Sequence, residues 1–336
     1  MRRSTVFRVL GGLLVLGIGV YTAFWWIAAG RIQSEAATWR EAARQQGIEA
    51  SWQGMRVTGY PLSFRLELTD AAVKDNASAT PADLQAPLLM ASIHPWDFHT
   101  AWVVAPQGLG IALGPNAWAK LSAESGSGAV ALSDDKTTIW LSLYKPTLSG
   151  MVNVTARAVH LWSTVPAVMP TAHQEAGIAV ALDVHELVPP VLPPGFTGAI
   201  DDLGFGLTMR GAFPSGPLRP AAAAWRDSGG TVELDHLHLR WGETEITGSG
   251  TLALDGNLQP IGGFSGGVSG FEQLLSALVA SGRIKASDAR IARLALAMLA
   301  KAGPDGRPEI STSFSIQDGQ MYLGPAKLGP APRIDW

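Results

Sequence analysis

Histidines and carboxylates lie close together at three places in the sequence, and such side chains bind zinc and similar ions. A metal ion held at the third place would indicate a metal-dependent hydrolase, which is one candidate function. The residues are His94, Asp97 and His99 in HPWDFH; Asp183, His185 and Glu186 in DVHEL; and Glu233, Asp235, His236 and His238 in ELDHLH.

The first place has a spacing that does not favour a metal site. Successive side chains of a strand point to opposite faces, so His94 and Asp97 fall on different sides unless Pro95 bends the chain. We expect a turn here, in which Trp96 and Phe98 pack against neighbouring residues.

The third place has two histidines, His236 and His238, on one face of a predicted strand. The same alternation places Glu233 and Asp235 on the other face, away from both imidazoles. We therefore expect a solvated outer face here, and an exposed strand end at DVHEL.

Residues 263–267, Gly-Phe-Ser-Gly-Gly, match the letters of the G-x-S-x-G motif. A nucleophile elbow needs a strand before the serine and a helix directly after it, and its histidine follows in the chain. The last histidine of this sequence is His238, which precedes Ser265. The motif therefore does not indicate a hydrolase.

Other catalytic signatures are missing from the sequence. There is no P-loop and no G-x-G-x-x-G motif, and the chain has no cysteine, which excludes thiol chemistry and Cys-ligated zinc. We assign no catalytic residue, no cofactor-binding residue and no metal ligand, and we expect a protein that is not an enzyme.

Tryptophan is abundant, with 12 residues in the chain. Widely spread aromatic residues usually pack in a core, but they could instead line an apolar groove for acyl chains. Both interpretations stay open for the ten that follow the apolar N-terminal segment: Trp39, Trp52, Trp96, Trp102, Trp118, Trp140, Trp162, Trp225, Trp241 and Trp336.

The elements that position these residues are mainly short strands. Residues 31–47 form a predicted helix, rich in good helix formers and stopped at Gly47. Residues 48–52 and 61–68 then alternate between apolar and polar side chains, which predicts half-buried antiparallel strands. The polar stretch 70–86 is predicted to be a loop.

Further strands are predicted through the middle of the chain, between turn residues. Residues 189–195 and 212–220 are rich in proline and indicate connections, either of which could join two halves of one long sheet. The predicted strands are 88–93, 100–105, 110–113, 137–144, 150–162, 177–187 and 204–211.

The C-terminal third predicts the order strand, strand, helix, helix, strand, strand. The strands are 231–242, 245–256, 309–316 and 320–325, with a turn at Asp318-Gly319. This order is typical of an α+β fold, a predominantly antiparallel β-sheet with a few packed helices covering one face.

The two helices of this third are predicted at 270–282 and 287–303. Ser269 and Glu272 fit a capping box at the start of the first helix, and Gly303-Pro304 would end the second. The expected inner faces are Phe271, Leu274, Leu275 and Leu278 in the first helix, and Ile291, Leu294, Met298 and Leu299 in the second.

Four segments together resemble a bacterial family catalogued as domain of unknown function 2125, over most of the chain from about residue 35. The closing pattern of strand, Asp-Gly, strand and Gly-Pro is similar to the C-terminal repeats of AsmA-like envelope proteins. That resemblance implies an inner-membrane anchor and a β-rich periplasmic body involved in lipid traffic, with no catalytic residues to transfer. The four segments are GYPLSFRLEL (59–68), APLLMASIHPWDF (86–98), RWGETEITGSGTLALD (240–255) and SIQDGQMYLGP (315–325).

The most informative segment is 9–30, which has 22 residues without a charge. A helix of that length spans roughly 30 Å, the thickness of a bilayer's hydrocarbon core. Three arginines precede it and residues 1–30 contain no acid, so the positive-inside rule predicts residues 1–8 in the cytoplasm. A cleaved signal peptide is the alternative, although the run is long and Ile27 suits the cleavage site after Ala29 poorly.

Composition limits the partners of residues 31–336. The chain carries a net charge of −3, and three of its arginines belong to the N-terminal segment. An acidic body excludes nucleic acid, which needs a basic face.

These observations lead to one expected organisation. Residues 9–30 are a transmembrane anchor in the bacterial inner membrane, residues 31–47 a juxtamembrane helix, and residues 48–336 a periplasmic β-rich domain, in one piece or in two halves joined near 189–220. We expect a role in envelope maintenance through binding of lipid or other apolar ligands in a groove. The alternative is an anchored module that holds another envelope protein through a sheet edge or apolar patch.

Overall fold

The computed structural model describes residues 2–77, 81–114, 117–150, 152–214, 216–282, 284–303 and 306–336. The chain forms two compact units. Unit 1 comprises Met1–Val130 and Ser149–Met151, and unit 2 comprises Ala131–Leu148 and Val152–Trp336. The stretch 189–220, which the sequence suggests as a connection between halves, lies within unit 2.

A single helix, α1 (Arg2–Gln45), joins the apolar segment to the predicted juxtamembrane helix without a break. It ends at the predicted glycine, since Gly47 adopts a φ of +80° and its N–H donates to Arg44 O at 3.1 Å. Among the described residues, Gly11–Gln45 is the one helix long and apolar enough to cross a membrane. A helix of this kind near the N-terminus qualifies as an anchor or as a signal sequence.

The strand pairs described in unit 1 are antiparallel and are organised around two long strands. The third strand pairs with the first, second and fourth; the fourth also pairs with the fifth and sixth, and the sixth with the seventh. The strands are β1 (Ile48–Ser51), β2 (Gly54–Thr58), β3 (Phe64–Asp75), β4 (Ala82–His94), β5 (Asp97–Ala105), β6 (Leu109–Leu113) and β7 (Ala119–Ala123).

Two strands, β8 (Ser125–Leu132) and β10 (Thr147–Gly150), have residues in both units. The remaining strands belong to unit 2. They are β9 (Lys136–Tyr144), β11 (Val154–Thr155), β12 (Ala158–Pro166), β13 (Ala176–Leu187), β14 (Ile200–Arg210), β15 (Thr231–Trp241), β16 (Thr244–Leu254), β17 (Pro260–Ser269), β18 (Lys301–Ala302), β19 (Pro308–Gln317), β20 (Gln320–Leu323) and β21 (Ala326–Pro330).

The main sheet of unit 2 is a long antiparallel meander. Its strands follow the order β9, β12, β13, β14, β15, β16, β17, β19, β20, β21, and every neighbouring pair is antiparallel. The predicted turn at Asp318-Gly319 is confirmed, with both residues at positive φ between β19 and β20. The prediction of a mainly antiparallel sheet with a few helices is therefore confirmed.

The three helices of unit 2 contact strand ends, and the expectation that they cover one face is wrong. They are α2 (Leu218–Asp227), α3 (Phe271–Ala280) and α4 (Ala286–Leu299). Trp225 Nε1 of α2 donates to Arg210 O at 2.7 Å, at the end of β14. Gln273 Oε1 of α3 accepts from the N–H of Glu243 at 3.0 Å, in the turn between β15 and β16.

Two predicted boundaries are wrong. Residues 70–86 are not one loop, because β3 continues to Asp75 and β4 begins at Ala82; residues 78–80 lie outside the described residues. The proline-rich stretch 212–220 contains the start of α2, which the sequence analysis missed. Pro220 falls in the first turn of that helix, where a missing N–H costs no helical hydrogen bond.

The predicted capping box does not form. Ser269 remains in β17, paired with Glu245 and Glu309, and makes no side-chain cap to α3. Gly270 is the N-cap instead, at a φ of +65°, where an added Cβ would lie 1.9 Å from Glu243 O. The close approach of that carbonyl is what requires glycine here.

The predicted inner face of α4 is also wrong. Ile291, Leu294, Met298 and Leu299 are all exposed, Met298 by 87%, whereas Ala289 is buried. Pro304, which was expected to stop this helix, lies outside the described residues. In α3 the prediction is confirmed for Phe271 and Leu275, which are buried, and wrong for Leu278, which is exposed.

Candidate functional site

The HPWDFH segment forms the tip of the hairpin between β4 and β5. Asp97 accepts hydrogen bonds from the backbone N–H groups of His99 at 2.9 Å and Thr100 at 3.2 Å, and its hydrogen bonds to Thr100 and His99 lower its pKa. His94 stacks on Trp96, with ring centroids 5.0 Å apart. The turn is confirmed, but Trp96 and Phe98 are exposed rather than packed.

The histidine pair of ELDHLH lies as predicted on a polar face, but the placement of the carboxylates is wrong. A β-bulge between Leu234 and Leu237 adds one residue to β15, so both leucines point the same way. Glu233 consequently shares the face of the histidines, where it pairs with Arg210 at 2.6 Å. His238 Nε2 lies 3.3 Å from Glu245.

The DVHEL segment contributes to an ion-pair cluster on the same face. His185 Nδ1 lies 2.7 Å from Asp202 Oδ1, and Arg240 Nη2 donates to the other oxygen of that carboxylate. The hydrogen bond to His185, followed by that to Arg240, lowers the pKa of Asp202. Within the described ranges, no three His, Cys, Asp or Glu side chains converge in a way that could hold a metal ion.

The G-x-S-x-G letters lie inside β17, in straight strand. Ser265 is exposed and stands opposite Ser249 on one side and Ser313 on the other. Three serines therefore form a row across neighbouring strands. In the described residues, this arrangement gives the Ser265 hydroxyl neither a general base nor a helix N-terminus.

The structure also brings together a serine and a histidine that the sequence analysis did not consider. Ser142 Oγ lies 2.9 Å from His160 Nδ1, across β9 and β12. Asp183 of β13 stands directly opposite His160, but among the described residues it makes no hydrogen bond to that imidazole, so the pair lacks the acid of a triad. The two residues are 18 positions apart, and only the strand register could have indicated their contact.

The opposite face of the unit 2 sheet is apolar across nine adjacent strands. Directly opposed residues in neighbouring strands share a face, and the registers align one apolar row after another. The members of this surface, which we call the apolar face, are Ile139, Leu141, Leu143, Val159, Leu161, Val180, Leu182, Val184, Leu203, Phe205, Leu207, Met209, Val232, Leu234, Leu237, Leu239, Ile246, Leu252, Phe264, Val268, Ile310, Phe314, Ile316, Met321 and Leu323.

Much of the apolar face is accessible to solvent. Leu143, Val184 and Ile316 are buried, but most members are half-buried, and Leu141 and Leu323 are exposed by 36% and 42%. In the described part of the chain the helices contact the strand ends and leave the middle of this face without a helix. In other proteins, large contiguous apolar surfaces that solvent reaches are a common feature of interaction sites.

A cavity of about 330 Å³ lies in the apolar face. Gly248 and Gly266 stand next to each other at its base, and its walls include Leu237, Phe264 and Phe314. The two glycines leave the base without side chains, so the depression follows from the sequence of β16 and β17. Its volume is at the lower end of the range of ligand pockets, about 300–1,000 Å³.

Among the tryptophans of unit 2, Trp241 lies on the same side of β15 as Leu239, at the end of the strand. Trp140 and Trp162 are opposed in β9 and β12 on the polar side, and Trp162 is 45% exposed. Trp225 and Trp241 are buried, which confirms the core interpretation for them, while Trp39, Trp96, Trp102 and Trp118 are exposed. The residues that line the cavity include no tryptophan.

The alternating pattern could have indicated this site. The sequence predicted most of these strands and their apolar period, for example Leu237 and Leu239 on one face, but it did not predict β17, which is rich in glycine. A single strand does not show whether its apolar side is covered, and the glycines of β16 and β17 gave no signal of a cavity.

Residues 25–332 match the model of a bacterial protein family described as uncharacterized protein conserved in bacteria, DUF2125. The match includes the end of the apolar segment and nearly all of both units. No curated protein and no solved structure matches the chain.

Proposed function

The chain belongs to the bacterial family of domain of unknown function 2125, and we propose that it is a membrane-anchored, non-enzymatic protein that binds acyl chains on the apolar face. The observation that carries this proposal is the accessible apolar surface across nine strands of unit 2. An acyl chain needs a long apolar surface with few hydrogen-bonding groups, and the apolar face offers one.

The anchor is supported by the contacts of α1 in unit 1. Trp25 is 3% exposed and stacks on Phe64 at 5.5 Å, and Ala29 is buried in the same cluster. Cleavage after Ala29 would remove both residues from the core of unit 1. A retained helix is therefore favoured over a removed signal sequence.

The proposed location is supported by the arginines before the apolar segment and by the resemblance of the closing pattern to AsmA-like proteins. We place the chain in the bacterial inner membrane, with the N-terminus in the cytoplasm and both units in the periplasm. A lipid-binding protein of the envelope needs its acyl-chain site on the same side as its lipid substrate or its acceptor membrane.

A non-catalytic role is supported by the polar face. Its carboxylates pair with Arg210, Arg240 and His185 on an open sheet surface. Such pairs keep a face hydrated and contribute little stability each. They are not gathered around a cavity that could hold a substrate.

Photocrosslinking tests the proposal. The full-length chain in mild detergent is incubated with a phospholipid that carries a diazirine in its acyl chain, and labelled peptides are mapped by mass spectrometry. We expect label in the peptides of β15, β16, β17 and β19, and competition by unmodified phospholipid.

A matched pair of variants distinguishes lipid binding at the apolar face from nonspecific hydrophobic labelling. Gly248→Leu fills the base of the cavity, where an added Cβ meets no atom closer than Ser265 O at 3.3 Å. Ser249→Leu puts the same side chain on the polar face of the same strand. Labelling should fall severalfold in the first variant and persist in the second; equal labelling in both would contradict acyl-chain binding at this face.

A second candidate is an anchored module that holds another envelope protein, and α4 favours it. Its stripe of Ile291, Leu294 and Met298 is exposed by 70%, 71% and 87%. Crosslinking in cells should then capture one protein through α4, and Leu294→Ser with Met298→Ser should abolish that capture while leaving lipid labelling unchanged.

A further inference from the structure

A loop of unit 1, Gly59–Ser63, contacts α1 in the middle of its uncharged run. Tyr21 donates its hydroxyl to Pro61 O, and the hydroxyls of Thr22 and Tyr60 lie 2.8 Å apart. Trp25 Nε1 donates to Ser63 O at 3.2 Å. These contacts fix the level of the loop along the helix axis.

That level is inside the span of residues 9–30. Tyr21 lies ten residues before Arg31, which corresponds to about 15 Å along a helix with a rise of about 1.5 Å per residue. A bilayer core is about 30 Å thick. If residues 9–30 cross the bilayer, the loop that contacts Tyr21 must enter the leaflet nearer Arg31.

The backbone of this loop is suited to a medium without water. Gly59 O accepts from the N–H groups of Leu62 and Ser63 at 3.0 and 2.9 Å. Pro61 O and Ser63 O accept from side chains of α1, and Leu62 O lies 3.1 Å from His94 Nδ1. Lipid provides no partners for backbone carbonyls, and these four carbonyls have partners within the protein.

The side chains around the loop are apolar or aromatic and exposed. The contact of His94 with Leu62 O places the tip of the β4–β5 hairpin beside the loop. Tyr60, Leu62, Trp96 and Phe98, which we call the aromatic shelf, are exposed by 47%, 64%, 67% and 56%. Large exposed aromatic residues of this kind are enriched where proteins meet the membrane interface.

We infer that the aromatic shelf inserts into the leaflet through which α1 leaves the membrane. The inference rests on the anchor of the proposed function, because it uses the depth of Tyr21 in a spanning helix. It adds a second contact with the bilayer, which holds unit 1 against the membrane surface.

The charges of unit 1 fit this arrangement. Residues 57–64 carry no charge, and the hairpin tip carries only Asp97, whose carboxylate accepts two backbone N–H groups. Arg65 comes directly after the uncharged stretch and is exposed. The loop that contacts Tyr21 therefore brings no charged side chain into the acyl chains.

The chain has no cysteine, so single spin labels can be introduced without removing native thiols. Leu62→Cys and Trp96→Cys are labelled in the full-length protein, which is reconstituted in vesicles of phosphatidylethanolamine and phosphatidylglycerol. Collision rates of each nitroxide with oxygen and with a water-soluble nickel chelate are measured by electron paramagnetic resonance. At both shelf positions, the collision rate with oxygen should exceed the collision rate with the nickel chelate.

Two control positions make the outcomes distinguishable. Gln107→Cys lies in the turn beyond the other end of β5, roughly 30 Å from the tip at about 3.3 Å per residue, and nickel should dominate there. Leu14→Cys reports on the anchor itself. Oxygen-dominated collisions at position 14 with nickel-dominated collisions at 62 and 96 would overturn the shelf alone, whereas nickel-dominated collisions at position 14 would overturn the anchor and the shelf together.

Discussion

The apolar sides of the two sheets have different surroundings. In unit 1, Phe64 is 2% exposed because Trp25 of α1 stacks on its ring at 5.5 Å. In unit 2, Phe264 lies on the apolar face, half-buried, with Phe314 as its aromatic neighbour at 5.9 Å. Phe64 lies in β3 and Phe264 lies in β17.

The difference shows that an alternating sequence pattern predicts which side of a strand is apolar, but not whether another element packs against that side. Unit 1 receives its cover from a helix that is apolar enough to supply Trp25 and Ala29. In the described residues of unit 2, α2 and α3 contact the strand ends, and α4 exposes its own apolar stripe. Under the proposed function, a bound acyl chain would cover the apolar face of unit 2.

Phe64→Ala should have the largest effect on stability. Removing a fully buried phenylalanine ring typically costs about 3–5 kcal/mol. Phe264→Ala is the matched control and should cost only about 1 kcal/mol, because solvent already reaches its ring. Hydrogen exchange of the full-length chain in detergent measures both values, from the peptides of β3 and β17. Equal losses would mean that the apolar face of unit 2 is covered as completely as that of unit 1.

The sequence predicted what depends on local pattern. Strands such as β9, β13 and β15, the turn at Asp318-Gly319 and the stop of α1 near Gly47 follow from alternation and glycine chemistry, and the structure confirms them. The strands β7, β8 and β17 were not predicted. The resemblance to the family of domain of unknown function 2125 is confirmed over residues 25–332, whereas the AsmA-like similarity stays a prediction.

The features that were missed depend on partners far away in the chain. The β-bulge before Leu237 arises because two residues of β15 oppose one of each neighbour, and this bulge moves Glu233 to the polar face. The helical period of α4 was recognised, but a period does not show whether another element packs on it. The contact of Tyr21 with Pro61 joins residues 40 positions apart.

Leu237→Gln tests whether the apolar face serves binding more than folding. We expect a loss of about 1 kcal/mol in the stability of unit 2, because the side chain is only half-buried, together with a severalfold loss of diazirine-lipid labelling. His238→Gln, the next residue on the polar face, should leave labelling unchanged. Hydrogen exchange of the β15 peptides measures the loss of stability, and the photocrosslinking yield measures the loss of lipid labelling.

Asp202→Asn tests the polar face through its pH dependence. The folded pKa of Asp202 lies below the ordinary value of 3.8, so its stabilising contribution is complete above about that pH and is lost as pH falls through the folded pKa. The variant should lose about 0.5–1 kcal/mol at neutral pH, the magnitude of a partly exposed ion pair. The difference from the parent should shrink in acid, as measured by denaturant unfolding over a range of pH values.

Leu294→Ser should have the smallest effect. The side chain is 71% exposed on α4, and substitutions at such positions usually change stability by less than about 0.5 kcal/mol. Leu275→Ala in the adjacent α3 is the contrast, because Leu275 is buried and its truncation should cost about 2–5 kcal/mol. Exchange of the α3 and α4 peptides compares the two variants in one measurement. A large loss from Leu294→Ser would mean that α4 is covered in solution, and the contrast between a covered unit 1 and an open unit 2 would then no longer hold.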